Sequence, residues 1–219
     1  KDNRIPVFGT CAGMVLLASM QEHGIGYIVN ACASIESLKD TEELMEKYPF
    51  VYGAFGIHPD DAEKMTEETL EEIRQLSRLP KAVAIGEIGL DYYWHKEEHE
   101  HEIQKKMFLA QMEIAREEKL PFMVHSRDAA KDTLDLVKDC MKGGMYGGII
   151  HCFSYGKEMA REYLDMGLYL GIGGVVTFKN AKKLKEVVAY APLEQLVIDT
   201  VNVISVTIIS LHSLQLLQS

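Results

Sequence analysis

Short apolar runs alternate with amphipathic stretches along most of this chain. Between the runs, apolar residues recur at helical spacing, as in Ile35, Leu38 and Met45, which follow Ser34, a residue type that caps helices. Continuous apolar runs that are separated by helices are typical of strands buried on both faces of a parallel sheet. Seven runs of this kind predict strands, at residues 25–32, 51–57, 82–89, 121–124, 147–153, 168–178 and 193–200.

Polar residues at the ends of the runs distinguish a barrel from an open sheet. Four runs end in side chains that can bind a metal or transfer a proton: His58, Glu87, His125 and His151. In a barrel the carboxyl ends of all strands form one ring. In an open doubly wound sheet, ligands gather at a single switch point, which four successive strands cannot all reach. We therefore predict an α/β fold of the TIM-type (β/α)8 barrel.

Composition and charge narrow the class of protein further. The chain has 219 residues, of which 26% are charged, and a net charge of −10. These values fit one globular barrel domain over residues 1–219, expected in the cytoplasm, with no membrane partner and no obligate protein partner. The negative charge gives no general attraction to nucleic acid, so such a substrate needs a local basic patch or metal ions. The four cysteines have no CxxC spacing and indicate neither a disulfide framework nor a zinc knuckle.

Four motifs carry a family resemblance. "GIHPDDA", "GEIGLDYYW", "PFMVHSRDA" and "HCFS" occur in that order. Between about residues 19 and 200 the chain resembles the TatD family of metal-dependent deoxyribonucleases, within the wider amidohydrolase-like barrels. The resemblance implies hydrolysis of phosphodiester bonds in DNA, with one or two divalent metal ions at the top of the barrel. It does not distinguish Mg²⁺, Mn²⁺ and Zn²⁺.

The resemblance also implies roles for particular residues. Glu87 resembles the family's carboxylate that can bridge two metals, and His125 and His151 resemble the two histidines that complete one metal position. His58 lies beside the family's site, and Arg127 is a candidate phosphate contact, so both are expected to bind substrate. Arg127 could instead pair with an acidic residue.

Both ends of the chain depart from the family pattern, at residues 1–18 and 201–219. No His-x-His pair occurs near the N-terminus, and the pair His99 and His101 lies in the charged stretch "WHKEEHEHE". Val201 stands where the family has an aspartate that binds metal and serves as general base, so the catalytic residue stays unassigned. Asp199 shares its strand face by alternation but lies about 6–7 Å deeper, which makes it a poor substitute. We expect one bound metal and impaired activity.

Two alternatives to an active nuclease remain. One is a truncated, catalytically inactive barrel that still binds metal, because residues 201–219 contain no Asp, Glu, Lys or Arg and resemble foreign or out-of-frame sequence. The other is a cysteine glutaminase, since "PVFGTCAGMVLLA" (6–18) resembles the nucleophile elbow of class I glutamine amidotransferases, with Cys11 as nucleophile. No His-x-Glu pair follows it, and residues near 5–9 are expected to fill the first strand position of the barrel, unless that position is open.

An aromatic segment follows Glu87 at the expected rim of the site. Tyr92, Tyr93 and Trp94 have two interpretations, stacking on a nucleic-acid base or packing within the fold.

Overall fold

Seven parallel strands lie side by side in the order in which they occur along the chain. The computed structural model describes residues 27–200 and 205–208. The parallel strands are β1 (Ile28–Ala31), β2 (Val51–Phe55), β3 (Ala82–Asp91), β4 (Phe122–Arg127), β5 (Gly148–Ile150), β6 (Tyr169–Ile172) and β7 (Leu196–Thr200). This arrangement confirms the predicted α/β barrel of TIM type.

Helices connect successive strands. They are α1 (Ile35–Lys47), α2 (Glu67–Leu76), α3 (Glu98–Glu117), α4 (Ala130–Lys142), α5 (Lys157–Asp165) and α6 (Lys182–Tyr190), with short 3₁₀ turns at Pro59–Lys64, Gly174–Thr177 and Leu193–Gln195. Ser34 caps α1 as predicted. Its hydroxyl accepts from the Ser37 amide, and the Ser37 hydroxyl accepts from the Ser34 amide. These two amides at the start of the helix therefore each have a hydrogen-bond acceptor.

The closing strand corrects one expectation. The place between β1 and β7 is filled by β8 (Ser205–Ile208), which is antiparallel to both neighbours. Residues 5–9, which were expected to fill the remaining position, lie outside the described residues. The physical reason for the reversed direction is length: a parallel strand needs a crossover of roughly a dozen residues or more, and only residues 201–204 separate β7 from β8.

The sheet is buried on both faces. A large apolar cluster, which includes Phe55, Phe108, Phe122 and Tyr163, packs between the strands and the helices. A second cluster takes alternate residues of the strands, most of them small or medium in size: Val29, Ala31, Ala54, Ala84, Met123, Ile149 and Val197. Because side chains alternate along a strand, this second cluster lines the inside of the barrel.

The inner cluster positions the polar residues. His125, His151 and Asp199 each lie two residues after a member of the inner cluster, on β4, directly after β5, and on β7. The period of two therefore directs all three side chains toward the barrel axis at the carboxyl ends of the strands.

Candidate metal centre

The three residues predicted to bind metal lie together at the carboxyl ends of their strands. The Oε1 atom of Glu87 is 3.0 Å from His125 Nδ1 and 3.6 Å from His151 Nε2. Glu87 is only 3% exposed, and its backbone amide donates to the carbonyl of Cys32 at 2.8 Å. One buried carboxylate oxygen is thus shared by two imidazole rings.

Asp199 supports one of these rings. Its Oδ2 atom lies 2.8 Å from His151 Nδ1 and also accepts from the Cys152 amide at 2.8 Å. From the sequence, Asp199 was expected to lie too deep in the strand to replace the family's aspartate. The structure places it against His151, where the Nδ1–H can donate to it and the Nε2 atom remains on the side of Glu87. Carboxylates commonly orient metal-binding histidines in this way.

Asp91 supports the other ring and was not among the residues predicted from the sequence. Its Oδ2 atom lies 3.1 Å from His125 Nε2, and its Oδ1 atom accepts from the amides of Tyr93 and Trp94. A signal was available, because Glu87, Gly89 and Asp91 lie at alternate positions of one strand and share a face. The motif "GEIGLD" therefore carries two carboxylates toward the site.

The five side chains form a continuous row in the order Asp91, His125, Glu87, His151 and Asp199. Neighbouring nitrogen and oxygen atoms are separated by 3.1, 3.0, 3.6 and 2.8 Å along this row. Carboxylates at both ends and in the middle alternate with the imidazoles. Each imidazole in the row therefore has a carboxylate on both sides.

The protonation of the row follows from this alternation. Burial lowers the pKa of His125, but its hydrogen bonds to Asp91 and Glu87 outweigh burial and raise that pKa to about 9. The pKa of His151 is also raised: burial lowers it, and the charge of Glu87 with the hydrogen bond to Asp199 raises it by more. Burial raises the pKa of the Glu87 carboxyl, yet the neighbouring His151 and His125 hold it below its ordinary value. Without a metal, the neighbouring carboxylates thus favour the protonated form of both imidazoles.

The residues expected to bind substrate lie close to this row. The ring of His58 meets the ring of His125 edge-on, with centroids 4.2 Å apart, and its Nδ1 atom accepts from the Asp60 amide. Arg127 ends β4, two residues after His125, and its guanidinium lies 4.0 Å from the centre of the Tyr93 ring. Within the described part of the chain, no carboxylate forms an ion pair with Arg127, so the alternative of a salt bridge is not observed there.

The histidines of the charged stretch that leads into α3 make contacts within the fold. His95 lies 3.1 Å from both Asp60 and Glu100, and His101 stacks on Tyr92 with centroids 3.6 Å apart. Over residues 27–200, the clusters with metal-ligand spacing are His58–Asp91–His125 and His151–Cys152–Asp199, and neither includes this stretch. Cys11 and Val201 lie outside the described residues, and the roles discussed for them remain predictions.

Carboxylates and imidazoles at the carboxyl ends of barrel strands are typical of metal-dependent enzymes with this fold. The model of a family described as TatD related DNase matches residues 12–201. The chain therefore belongs to the TatD family.

Individual relatives agree with this assignment. The chain is 49% identical over 159 residues to the "Uncharacterized metal-dependent hydrolase YabD" of Bacillus subtilis, covering 72% of this chain and 61% of the relative. It is 32% identical over 178 residues to the "3'-5' ssDNA/RNA exonuclease TatD" of Citrobacter koseri, covering 81% of this chain and 67% of the relative. The crystal structure of YjjV, a TatD homologue from Escherichia coli, superimposes with a TM-score of 0.76 at 30% identity, covering 86% of this chain and 73% of that one. The chain thus spans about three fifths of the length of YabD.

Among the described residues, no helix is both long enough and apolar enough to span a bilayer.

Proposed function

We propose that this chain is a metal-dependent hydrolase of phosphodiester bonds in DNA. The observation that carries the proposal is the sharing of one buried Glu87 oxygen between His125 and His151, flanked by Asp91 and Asp199. The family description and the name of the Citrobacter koseri relative support nucleic acid as the substrate.

The donor set fits a divalent cation. Glu87 Oε1, His125 Nδ1 and His151 Nε2 would hold it, since carboxylate and imidazole donors together suit Zn²⁺, Mn²⁺ and similar ions. Asp91 and Asp199 would hold the two rings in orientation from outside. When bound, such an ion polarises a phosphoryl oxygen and lowers the pKa of water.

Two further residues, His58 and Arg127, would bind the substrate. We propose that His58, packed edge-on against His125, contacts the substrate close to the reacting phosphate. Arg127 carries N–H donors in a planar fork and would bind a phosphate of the strand. The general base is left unassigned, because Val201 replaces the family's aspartate in the sequence.

We further propose that the chain binds about one metal ion and turns over slowly. The sequence has no His-x-His pair near its N-terminus and has Val201 at the aspartate position, so the family's second metal position would keep only a share of Glu87. A clamp of two ions on the attacking and leaving oxygens would then not form. The second candidate function is a barrel that binds metal without turnover. The missing His-x-His pair and the replaced aspartate favour it as well.

Calorimetry with Mn²⁺ and with Zn²⁺ tests the site. We expect about one equivalent bound by the unmodified chain and no measurable binding by His125→Ala, which removes one of three donors. His99→Ala is the matched control, because this histidine lies on α3 and is not one of the three proposed donors. Equal binding by His125→Ala and the unmodified chain would contradict the proposed centre.

A nuclease assay on DNA with and without chelator tests the activity. We expect slow, chelator-sensitive cleavage that Val201→Asp increases without bringing it to the level of an intact relative. Fast cleavage by the unmodified chain would overturn the single-metal proposal. Absence of any cleavage, with metal binding intact, would favour the barrel without turnover.

A further inference from the structure

Two aromatic rings are exposed at the rim of the barrel, directly after β3. Trp94 is 65% exposed and Tyr93 is 41% exposed, and their rings meet edge to face with centroids 4.6 Å apart. Packing within the fold was one interpretation of this segment. It does not account for an indole with most of its surface in water, since exposed large apolar groups grouped together are typical of binding sites.

Two cations lie on these rings. The Arg127 guanidinium is 4.0 Å from the Tyr93 centroid and 5.6 Å from the Trp94 centroid, and Lys96 Nζ is 5.3 Å from the Tyr93 centroid. Considering only the residues that the structure describes, neither Arg127 nor Lys96 forms an ion pair with a carboxylate. The cluster therefore places two cations beside exposed rings on a chain whose net charge is −10. It supplies the local positive charge that a nucleic-acid substrate requires on such a protein.

One carboxylate joins this cluster to the metal centre. Asp91 Oδ1 accepts from the amides of Tyr93 at 2.8 Å and Trp94 at 3.2 Å, while Asp91 Oδ2 lies 3.1 Å from His125 Nε2. The register of the sheet also pairs Asp91 with Arg127. The turn that carries the rings is thus held by Asp91, the same side chain that contacts the proposed metal ligand His125.

We propose that Trp94, Tyr93 and Arg127 form a binding site for an unpaired nucleobase and its phosphate, next to the metal centre. This inference rests on the proposed function and names the part of the substrate that is recognised. Every base has a π-face that can stack on an exposed indole, so the site accepts all bases. The faces of a base inside a duplex are covered by its neighbours, so the site selects an unpaired end or strand. Arg127 stacks through its face, which leaves the in-plane N–H donors for phosphate.

The sequence provides a direct probe of this site. Trp94 is the single tryptophan of the chain, so the intrinsic tryptophan fluorescence reports on this site alone. Short oligothymidylate is titrated in the presence of chelator, so that no cleavage occurs. We expect saturable quenching by oligothymidylate, and little quenching by an abasic oligonucleotide of the same length and charge or by a blunt duplex.

Variants separate stacking from charge. With a dye-labelled oligothymidylate and anisotropy as the readout, Trp94→Ala should weaken binding roughly tenfold or more, and Trp94→Phe should restore most of it. Arg127→Ala should weaken binding and reduce its salt dependence. The matched control is Tyr146→Ala, because Tyr146 is a comparably exposed aromatic residue (54%) that precedes β5 and so lies at the opposite, amino-terminal edge of the sheet.

The outcomes separate this inference from the proposed function. Equal quenching by the abasic oligonucleotide, equal quenching by the blunt duplex, or no quenching at all would each overturn the base-binding site. Because the titration needs neither metal nor turnover, normal quenching by an inactive chain leaves the site in place and removes only the proposed hydrolysis. Active cleavage without quenching removes only the site.

Discussion

Each imidazole of the candidate metal centre is held between two carboxylates. His125 lies between Glu87 and Asp91, and His151 lies between Glu87 and Asp199. The sequence predicted that the three inner members lie together, because each of these polar residues follows an apolar run. It did not identify the outer pair. Their role depends on how far a side chain reaches across the barrel, and periodicity does not give that distance.

The protonation of His125 leads to a prediction about pH. In the folded, metal-free chain its pKa is raised from 6.5 to about 9. A raised pKa means that the ion pairs of His125 stabilise the fold fully below about pH 6.5, and that this contribution is lost as the pH rises through about 9. A metal ion bound by His125 would displace the same proton, so the apparent metal affinity should rise with pH over this window and less steeply above it.

Calorimetry in buffers of different ionisation enthalpy measures the protons released on metal binding. We expect proton release at neutral pH that becomes smaller as the pH rises through about 9, because His125 then has no proton left to lose. Asp91→Asn removes one carboxylate beside His125 and should shift the window to lower pH. A metal affinity that does not change between pH 6.5 and 9 would refute this account of His125.

At the scale of elements, the apolar runs predicted that the strands exist more accurately than they predicted where each strand ends. β4 extends beyond the predicted 121–124, because residues up to Arg127 pair with β3. The run at 168–178 contains only β6, and its remainder forms a 3₁₀ turn at Gly174–Thr177. An apolar run indicates burial, but hydrogen-bonded pairing with neighbours determines where a strand stops.

β6 contributes space to the site through a glycine. A Cβ atom on Gly171 would lie 2.1 Å from Asp199 Oδ2 and 3.2 Å from the Cys152 amide nitrogen. Both atoms belong to the hydrogen bond that Asp199 accepts from Cys152, and the same carboxylate oxygen lies against His151. The absence of a side chain on β6 is therefore what allows Asp199 of β7 to reach His151.

We predict that Gly171→Ala displaces Asp199 and loosens His151. Loss of such an outer partner lowers metal affinity by about 10–100-fold. The unfolding midpoint should fall as well. Gly174→Ala is the matched control, because its added Cβ would meet nothing within 4 Å. Calorimetry and a thermal melt on the two variants measure the difference, and equal metal affinities would show that Asp199 does not position His151.

For the whole molecule, closure of the barrel was the feature hardest to predict. β8 belongs to the segment 201–219, which contains no Asp, Glu, Lys or Arg and resembles foreign or out-of-frame sequence. In the structure, part of this segment pairs with β1 and β7 and covers the edges that they would otherwise expose. The pairing depends on two strands that lie far apart in sequence, so no local pattern could reveal it.

The closing strand can be tested at its centre. Thr207 is in register with Val29 of β1 and with Asp199 of β7, so a defect there affects both seams and the strand that carries Asp199. Thr207→Pro removes a backbone donor where strands lie on both sides, and we expect a loss of about 1–3 kcal/mol in the free energy of unfolding. For a chain of this size that corresponds to a fall of at least about 2–4 °C in the unfolding midpoint.

Light scattering should increase, because the edges of β1 and β7 become available to other chains. Metal affinity should also fall, because the strand that carries Asp199 is disturbed. Thr207→Val keeps the backbone donor and a similar shape, and it should behave like the unmodified chain. If the proline and valine variants melt at the same temperature and scatter equally, β8 does not close the barrel in solution.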